Sequence, residues 1–307
     1  MIDLSIIIVN YNSSELLLQC INSLLSSIKN NNISFEIIII DNNSKDKSIQ
    51  KIEEFIEQNK IDNIFLIKNK INAGFAKATN SGILMSKGKY ILLLNPDTII
   101  MQDTFEPLIK FMENNLDVGA LTCRLELKNG KIDQACHRGF PTVWNSFTYF
   151  TGLEKIFPKL KLFSGYSQTY KNMDEIHEID SGCGAFLLIR KIAGDSINWL
   201  DEDYFWYGED IDFCYRLKLN GWKIFFVPNI KVIHLKGASS GIKKHSKNYS
   251  KLDKKEKYVA IKSSTEVMRI YFKKHYQAKY PKIIFQFIIF SIYMLEKIRL
   301  IKFFLLN

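Results

Sequence analysis

LSIIIVNYNSSELLLQCINSLL, residues Leu4–Leu25, decides how the rest of the chain is read. Its opening run, Leu4–Val9, is almost wholly apolar, the pattern of a parallel strand covered on both faces. Leu17, Ile21, Leu24, Leu25 and Ile28 then recur at helical spacing. Asn12 stands three residues before Glu15, the spacing of a capping box. A buried strand feeding an amphipathic helix is half of a β-α-β unit, and the same alternation follows downstream. FEIIII (Phe35–Ile40) predicts a second buried strand, and Ile49, Ile52, Phe55 and Ile56 mark a helix. IFLI (Ile64–Ile67) predicts a third strand, Ala76–Met85 a short helix, and YILLL (Tyr90–Leu94) a fourth strand. This order predicts an α/β fold with a doubly wound, mostly parallel, Rossmann-like sheet. Ligands in such sheets bind beyond the carboxyl ends of the strands.

Further along, GAFLLIR (Gly184–Arg190) reads as a strand, and Asp210–Asn220 as a helix closed by Gly221 at C′. KIFFV (Lys223–Val227) and IKVIH (Ile230–His234) read as two strands around Pro228. Residues from about 125 to 180 read as loops with short elements. No internal repeat is visible.

At 307 residues, 47 % hydrophobic and 13 % aromatic, the chain has a substantial core and is not disordered. Cys20, Cys123, Cys136, Cys183 and Cys214 are scattered without a C-x-x-C pair, so neither a zinc site nor a disulfide framework is expected, and a reducing cytosol fits. The N-terminus lacks the basic region and cleavage site of a signal peptide. The net charge of +10 is uneven: residues 236–307 hold 17 Lys+Arg against 4 Asp+Glu, and the remainder 25 against 28. A neutral body with a basic tail points to an anionic surface, membrane or nucleic acid.

Four polar groups sit where strands end or helices begin. Asp41 follows its strand directly, and would lie close to Asn95-Pro96-Asp97 if their strands are neighbours. Pro96 fixes the turn, so the Asp97 side chain is aimed. One carboxylate plus diphosphate oxygens is a usual way to hold Mg²⁺ or Mn²⁺. Glu209-Asp210 opens a helix after the aromatic cluster YFWYG; Asp210 shares a face with Phe213, Cys214 and Leu217. The helix macrodipole favours an ionised carboxylate there, able to take a proton from an attacking hydroxyl. Both acids also fit as ordinary first-turn residues. His234 ends the last strand, as ligand or as core histidine. Trp206 and Tyr207 suit either a core or a platform for a sugar ring. NAGFAKATNSG (Asn72–Gly82) opens a helix and suits phosphate, but lacks the dinucleotide and P-loop glycine spacings.

Together SIIIVNYN, IIIIDNNSKD, NAGFAKATNSG, LLLNPD, DSGCGAFLLIRK and DEDYFWYGEDIDFCYRLKLNGWKIFFVPNIKVIH resemble glycosyltransferase family 2, with its GT-A fold, over about residues 2–240. The WYGED-to-His234 stretch and VMRIYFKKHY most resemble rhamnosyltransferase-like members that build bacterial surface polysaccharides. The resemblance implies a GT-A domain over 1–240, with a nucleotide-binding half (1–100) and an acceptor half (101–240), followed by a basic helical tail (241–307). Asp41 would bind the nucleotide base with Tyr11 beside it, and Gly74 and Asn80 would belong to the donor pocket. Asn95-Pro96-Asp97 stands where the family has its D-x-D motif. Asp97 would bind the metal, Asn95 would bond ribose or phosphate, and His234 would be a further metal ligand. Asp210 would be the catalytic base, with Glu209 sharing that role or binding the acceptor near Trp206. The implied reaction is a single inverting displacement. One sugar would pass from a dTDP- or UDP-sugar to a saccharide hydroxyl on a lipid-linked acceptor, with no covalent glycosyl-enzyme. The processive Q-x-x-R-W motif is absent, so one sugar per acceptor is implied.

IIFQFIIFSIYML (Ile283–Leu295) is too short for a span of about 20 residues, but its mixture with Lys and Arg suits a helix in the membrane interface. KKHSKNYSKLDKKEKY (243–258) suits anionic headgroups. A peripheral place at the inner face of the cell membrane is therefore expected. A nucleic-acid binder would interleave its basic residues with stacking aromatics, and this tail segregates them. A nucleotide-sugar hydrolase, or an inactive sugar-nucleotide-binding relative, is the other rival; Asp97, Asp210 and His234 together favour the transferase.

Overall fold

The computed structural model describes residues 2–29, 32–236 and 254–305. Most of the basic stretch 243–258 lies outside the described residues. The elements run β1 (Ile2–Asn10), α1 (Ser14–Ile28), β2 (Phe35–Asp41), α2 (Ser48–Asn59), β3 (Ile64–Lys68), α3 (Phe75–Met85), β4 (Gly88–Leu94) and β5 (Thr98–Ile100). They continue with α4 (Phe105–Asn114), β6 (Val118–Leu127), α5 (Val143–Thr151), α6 (Leu153–Ile156), β7 (His177–Glu178), β8 (Phe186–Arg190) and α7 (Lys191–Asp195). The last are α8 (Glu209–Leu219), β9 (Lys223–His234), α9 (Lys254–Tyr276) and α10 (Lys282–Leu305).

One sheet runs β3-β2-β1-β4-β8-β6-β9-β5, with β7 also on β9. The first four strands are parallel, as the apolar runs predict. Ile6, Ile8, Ile37, Ile39, Ile91 and Leu92 are all fully buried, because helices cover both faces. β8 enters antiparallel between β4 and β6. β2 and β4 are not neighbours: β1 lies between them, and its last residue, Asn10, donates to Asp41 Oδ1 at 2.9 Å.

Two local expectations are revised. α1 starts at Ser14, and Asn12 adopts φ 52° with its Oδ1 accepting the Lys45 N–H at 2.7 Å, so it ties two loops instead of capping the helix. The two strands around Pro228 are one, β9, because the pairing with β6 slips between Val227 and Lys231 and leaves the proline unpaired. The tail helices pack on the body: Tyr271, Phe272, Tyr276, Phe285 and Ile292 form one buried cluster with Tyr204 and Tyr215. Asp212 on α8 accepts bonds from His275 Nε2 at 2.6 Å and Arg216 Nε at 2.7 Å. Gly221, at φ 84°, follows α8 as predicted. All five cysteines are buried and free.

Candidate active site

Strand pairing assembles the first group. Thr98 of β5 opposes His234 of β9, and the Leu235 N–H donates to the Asp97 carbonyl at 2.8 Å. His234 Nε2 thereby lies 3.3 Å from Asp97 Oδ1, while its Nδ1 lies 2.9 Å from Asp133 Oδ2. Lys236 also pairs with Asp133. Burial alone would lower the imidazole pKa, but the Asp97 and Asp133 carboxylates override it and lift it to about 9. Asp133 moves the other way: burial would raise it, yet the His234 bond and the Lys236 charge hold it well below the usual range. Asp97 Oδ2 is buried and has no hydrogen-bond partner. A buried carboxylate oxygen with nothing to accept is an unmet demand that a cation would satisfy. A carboxylate–histidine–carboxylate line is also how ligating imidazoles are oriented in metal sites. These residues therefore fit a divalent metal, although among the described residues no three His, Cys, Asp or Glu side chains are disposed to hold one by themselves. Substrate oxygens would have to complete its shell.

The second group stands at the start of α8. Tyr207 (φ 76°) and Gly208 (φ 83°) both take the left-handed conformation just before it, a strained entry for a tyrosine. A Cβ on Gly208 would lie 2.1 Å from Val267 Cγ1 on α9, so only glycine lets the tail helix approach. Phe213, Cys214 and Leu217 are fully buried on the face that Asp210 shares, as the spacing predicts. Asp210 Oδ2 accepts from Arg138 Nη2 at 2.7 Å, and Oδ1 from the Ile211 N–H at 2.8 Å. Burial would discharge Arg138, but Asp210 keeps it charged, and it also donates to the Gly182 carbonyl at 2.9 Å. Glu209 is buried, its Oε2 has no hydrogen-bond partner, and burial followed by the Asp210 charge pushes its carboxyl well above the usual range. Trp206 stacks on Tyr207 with centroids 5.5 Å apart.

Asp133, which bonds His234, and Arg138, which bonds Asp210, flank the single turn Gln134–Cys136, so one short segment links the two groups. Sequence reasoning missed Asp133 and Arg138. Asp133 looks like a turn residue, and does accept from the Ala135 N–H at 3.1 Å. Arg138 lies in an irregular stretch, where no periodicity aims a side chain.

Each residue expected around the donor also has contacts of its own within the fold. Asp41, expected to touch the base, is fully buried, and its oxygens accept from Asn10 Nδ2 and the Ser44 N–H, each at 2.9 Å. It shapes the loop here, while Tyr11 remains 37 % exposed at the rim. Gly74 (φ 85°) lets the chain press on Phe205, whose carbonyl accepts the Phe75 N–H at 2.9 Å. Asn80 donates to the Leu200 carbonyl at 2.9 Å and accepts the Leu200 N–H at 3.2 Å. Both clasp the 200–205 loop that leads into Trp206 and Glu209. Asn95, at the end of β4, donates its N–H to the Ala185 carbonyl at 3.2 Å.

A parallel first half, a mixed second half and acids at the strand ends make this a GT-A fold. The chain belongs to glycosyl transferase family 2, whose family model matches residues 5–174. It is similar to the rhamnosyltransferase WbbL of Escherichia coli (strain K12), 31 % identical over 52 % of this chain and 60 % of that protein. It is also similar to the low-salt glycan biosynthesis hexosyltransferase Agl10 of Haloferax volcanii, 27 % identical over 76 % of this chain and 67 % of that one. Among solved structures it resembles the mannosyltransferase PcManGT of Pyrobaculum calidifontis in complex with GDP-Man and Mn²⁺. There the TM-score is 0.57 at 11 % identity, covering 88 % of this chain and 63 % of that chain.

Proposed function

We propose that this protein transfers one sugar, rhamnose or a similar hexose, from a dTDP- or UDP-sugar to a hydroxyl of a lipid-linked saccharide. The work would belong to surface polysaccharide biosynthesis at the inner face of the cell membrane. One observation carries this reading: two acidic groups of different character are linked through the short segment that holds Asp133 and Arg138. The Asp97–His234–Asp133 line is buried and has an oxygen to offer a cation. Asp210 is partly exposed at a helix N-terminus. That division suits a leaving diphosphate on one side and an attacking hydroxyl on the other.

Asp97 and His234 would hold Mg²⁺ or Mn²⁺, which when bound neutralises charge on the leaving diphosphate. Asp133 fixes the His234 ring so that Nε2 faces Asp97. Asp210 takes the acceptor proton as the oxygen attacks the anomeric carbon from the face opposite the diphosphate. The new C–O bond forms as the old one breaks, so the centre inverts. A carboxylate is a weak base towards a sugar hydroxyl, and the proton therefore moves late. Arg138 holds Asp210 in place, and Trp206 offers a ring face to the acceptor. Gly74 and Asn80 support the donor pocket by fixing the loop beneath it, with Asn95 and Tyr11 nearer its opening. Support for the donor class comes from the family and from the GDP-Man and Mn²⁺ in PcManGT.

The test is calorimetry with a panel of dTDP- and UDP-sugars, with and without Mn²⁺ or Mg²⁺, followed by turnover with and without a saccharide acceptor. Metal-dependent binding of one donor, with sugar release only when acceptor is present, supports the transferase. Equal release without acceptor would make the protein a hydrolase.

A further inference from the structure

Between β6 and β7 the chain presents a surface that the proposed chemistry does not use. Trp144, Phe147, Phe150, Phe157, Leu160 and Leu162 are each between 41 % and 63 % exposed. They are held together: Trp144 Nε1 donates to the Leu162 carbonyl at 2.6 Å, and Trp144 packs at 5.6 Å on Phe147. So many large apolar groups held together on the outside of a folded chain mark a docking face.

α10 carries a matching face. Phe287, Phe290, Met294, Ile298 and Ile301 are spaced by three or four residues and all exposed, within about 80° of one another at 3.6 residues per turn. Phe285, Ile292 and Phe303, on the opposite side, are buried. The helix is therefore apolar on two sides, one packed on the protein and one bare. α5 itself meets the packed side of α10, opposite the bare stripe. Val143, which opens α5, packs into the cluster of Tyr271, Phe285 and Ile292, and Tyr149 lies within electrostatic reach of Arg299.

We propose that residues 144–162 form a face that docks on the surface of an anionic lipid bilayer, with the aromatic side chains of α5 and the following turn seated among the acyl chains, while the bare stripe of α10 is a separate apolar surface. Charge selects this occupant. Lys155, Lys159 and Lys161 are exposed around the first patch, while its one acid, Glu154, is buried. Lys282, Lys297 and Lys302 are exposed on α10, and its one acid, Glu296, is buried against Arg269 at 2.5 Å. An apolar centre with a wholly basic rim complements anionic headgroups. A second copy of this chain would bring like charges together at the rim. Among the described residues no helix is long and apolar enough to cross a membrane, so the face lies on the bilayer. Arg138, the partner of Asp210, is separated from α5 only by Gly139–Thr142. Docking through α5 thus sets the base beside the lipid surface, where an amphiphilic acceptor presents its sugar. Any role for the α10 stripe rests on the proposed peripheral attachment of the tail; docking through 144–162 does not.

The test uses the whole protein with phosphatidylcholine vesicles, with and without phosphatidylglycerol. Brominated lipids should quench part of its tryptophan fluorescence, and Trp144→Phe should remove that part, since no other tryptophan lies in the patch. Phe147→Glu with Phe150→Glu should weaken flotation with phosphatidylglycerol vesicles at least about tenfold, while the thermal melt and donor binding stay unchanged. Unaltered flotation of that variant, or no quenching assigned to Trp144, overturns the inference. Phe287→Glu with Phe290→Glu tests the tail separately: loss of flotation there alone keeps tail attachment and removes the second element. Self-association in the absence of lipid, abolished by the Phe147 and Phe150 changes, would assign the face to a second copy and overturn the inference as well.

Discussion

Arg138 Nη2 stands 2.7 Å from Asp210 Oδ2, an ion pair in which both side chains are about one-seventh exposed. The pair points one carboxylate oxygen at a fixed cation and the other at the backbone of its own helix, so Asp210 cannot swing freely. Asp210→Asn keeps the shape and loses the proton acceptor. Donor binding should be unchanged while turnover falls roughly 10²–10⁴-fold. Near-normal turnover in this variant would falsify the assignment of Asp210 as base.

Removing the cation is a different experiment. Arg138→Met leaves a partly buried carboxylate unpaired, and breaking such a pair from one side costs about 3–5 kcal/mol. Denaturant unfolding should show a clear drop in midpoint. A variant as stable as the parent would mean that solvent, not Arg138, stabilises Asp210.

At the other group, Asp97→Ala should abolish metal-dependent donor binding. Asp133→Asn should be milder, because it removes no ligand and disturbs the orientation of His234 along with the Lys236 pair; losses of about 10–100-fold in metal affinity are usual for such partners. Titration of Mn²⁺ in the presence of donor measures both. Equal affinity in Asp133→Asn and parent would show that His234 is not a ligand.

Glu209 gives the stability a pH dependence. Its carboxyl is raised in the fold by burial and by Asp210, so from the ordinary value of 4.5 upward the native chain holds a proton that the unfolded chain has released. The native state then binds more protons, and stability falls as pH rises through that window. Glu209→Gln removes the penalty. Its melting temperature should match the parent at acid pH and exceed it increasingly towards neutrality, by about 1.4 kcal/mol for each unit by which the carboxyl is raised. Parallel melting curves across pH would show a Glu209 that ionises normally.

Gly74→Ala places a methyl 2.8 Å from the Phe205 carbonyl oxygen at a φ of 85°. Strain of about 1–3 kcal/mol is expected, together with a looser 200–205 loop and weaker donor binding. Calorimetry on the folded variant checks the second effect.

The nucleotide-side half was legible because unbroken runs such as Ile37–Ile40 and Leu92–Leu94 have no reading other than buried parallel strand. α4 and β6 went unread. VGALTCRLEL mixes small, polar and charged residues, since its second half sits near the sheet margin with Arg124 and Glu126 facing outward. Asp97, Asp210 and His234 were found because each marks an end of a regular element. Their partners Asp133 and Arg138 were not, because each reaches its site across a fold contact spanning 72 residues or more. The tight packing of the tail on α8 was equally invisible: His275 meets Asp212 across 63 residues.

That last contact has a consequence for the order in which the molecule is made. Asp212, fully buried on the helix that begins with Glu209 and Asp210, takes one of its hydrogen bonds from His275. Val267 must also arrive to cover Gly208. Chains leave the ribosome from the N-terminus, and their earlier parts fold first. The nucleotide-side strands can close long before this one does. The helix bearing the proposed base is left with an uncovered carboxylate until α9 emerges. The helix of the proposed base would thus be the last part of the candidate site to settle, waiting for a segment made more than fifty residues after it.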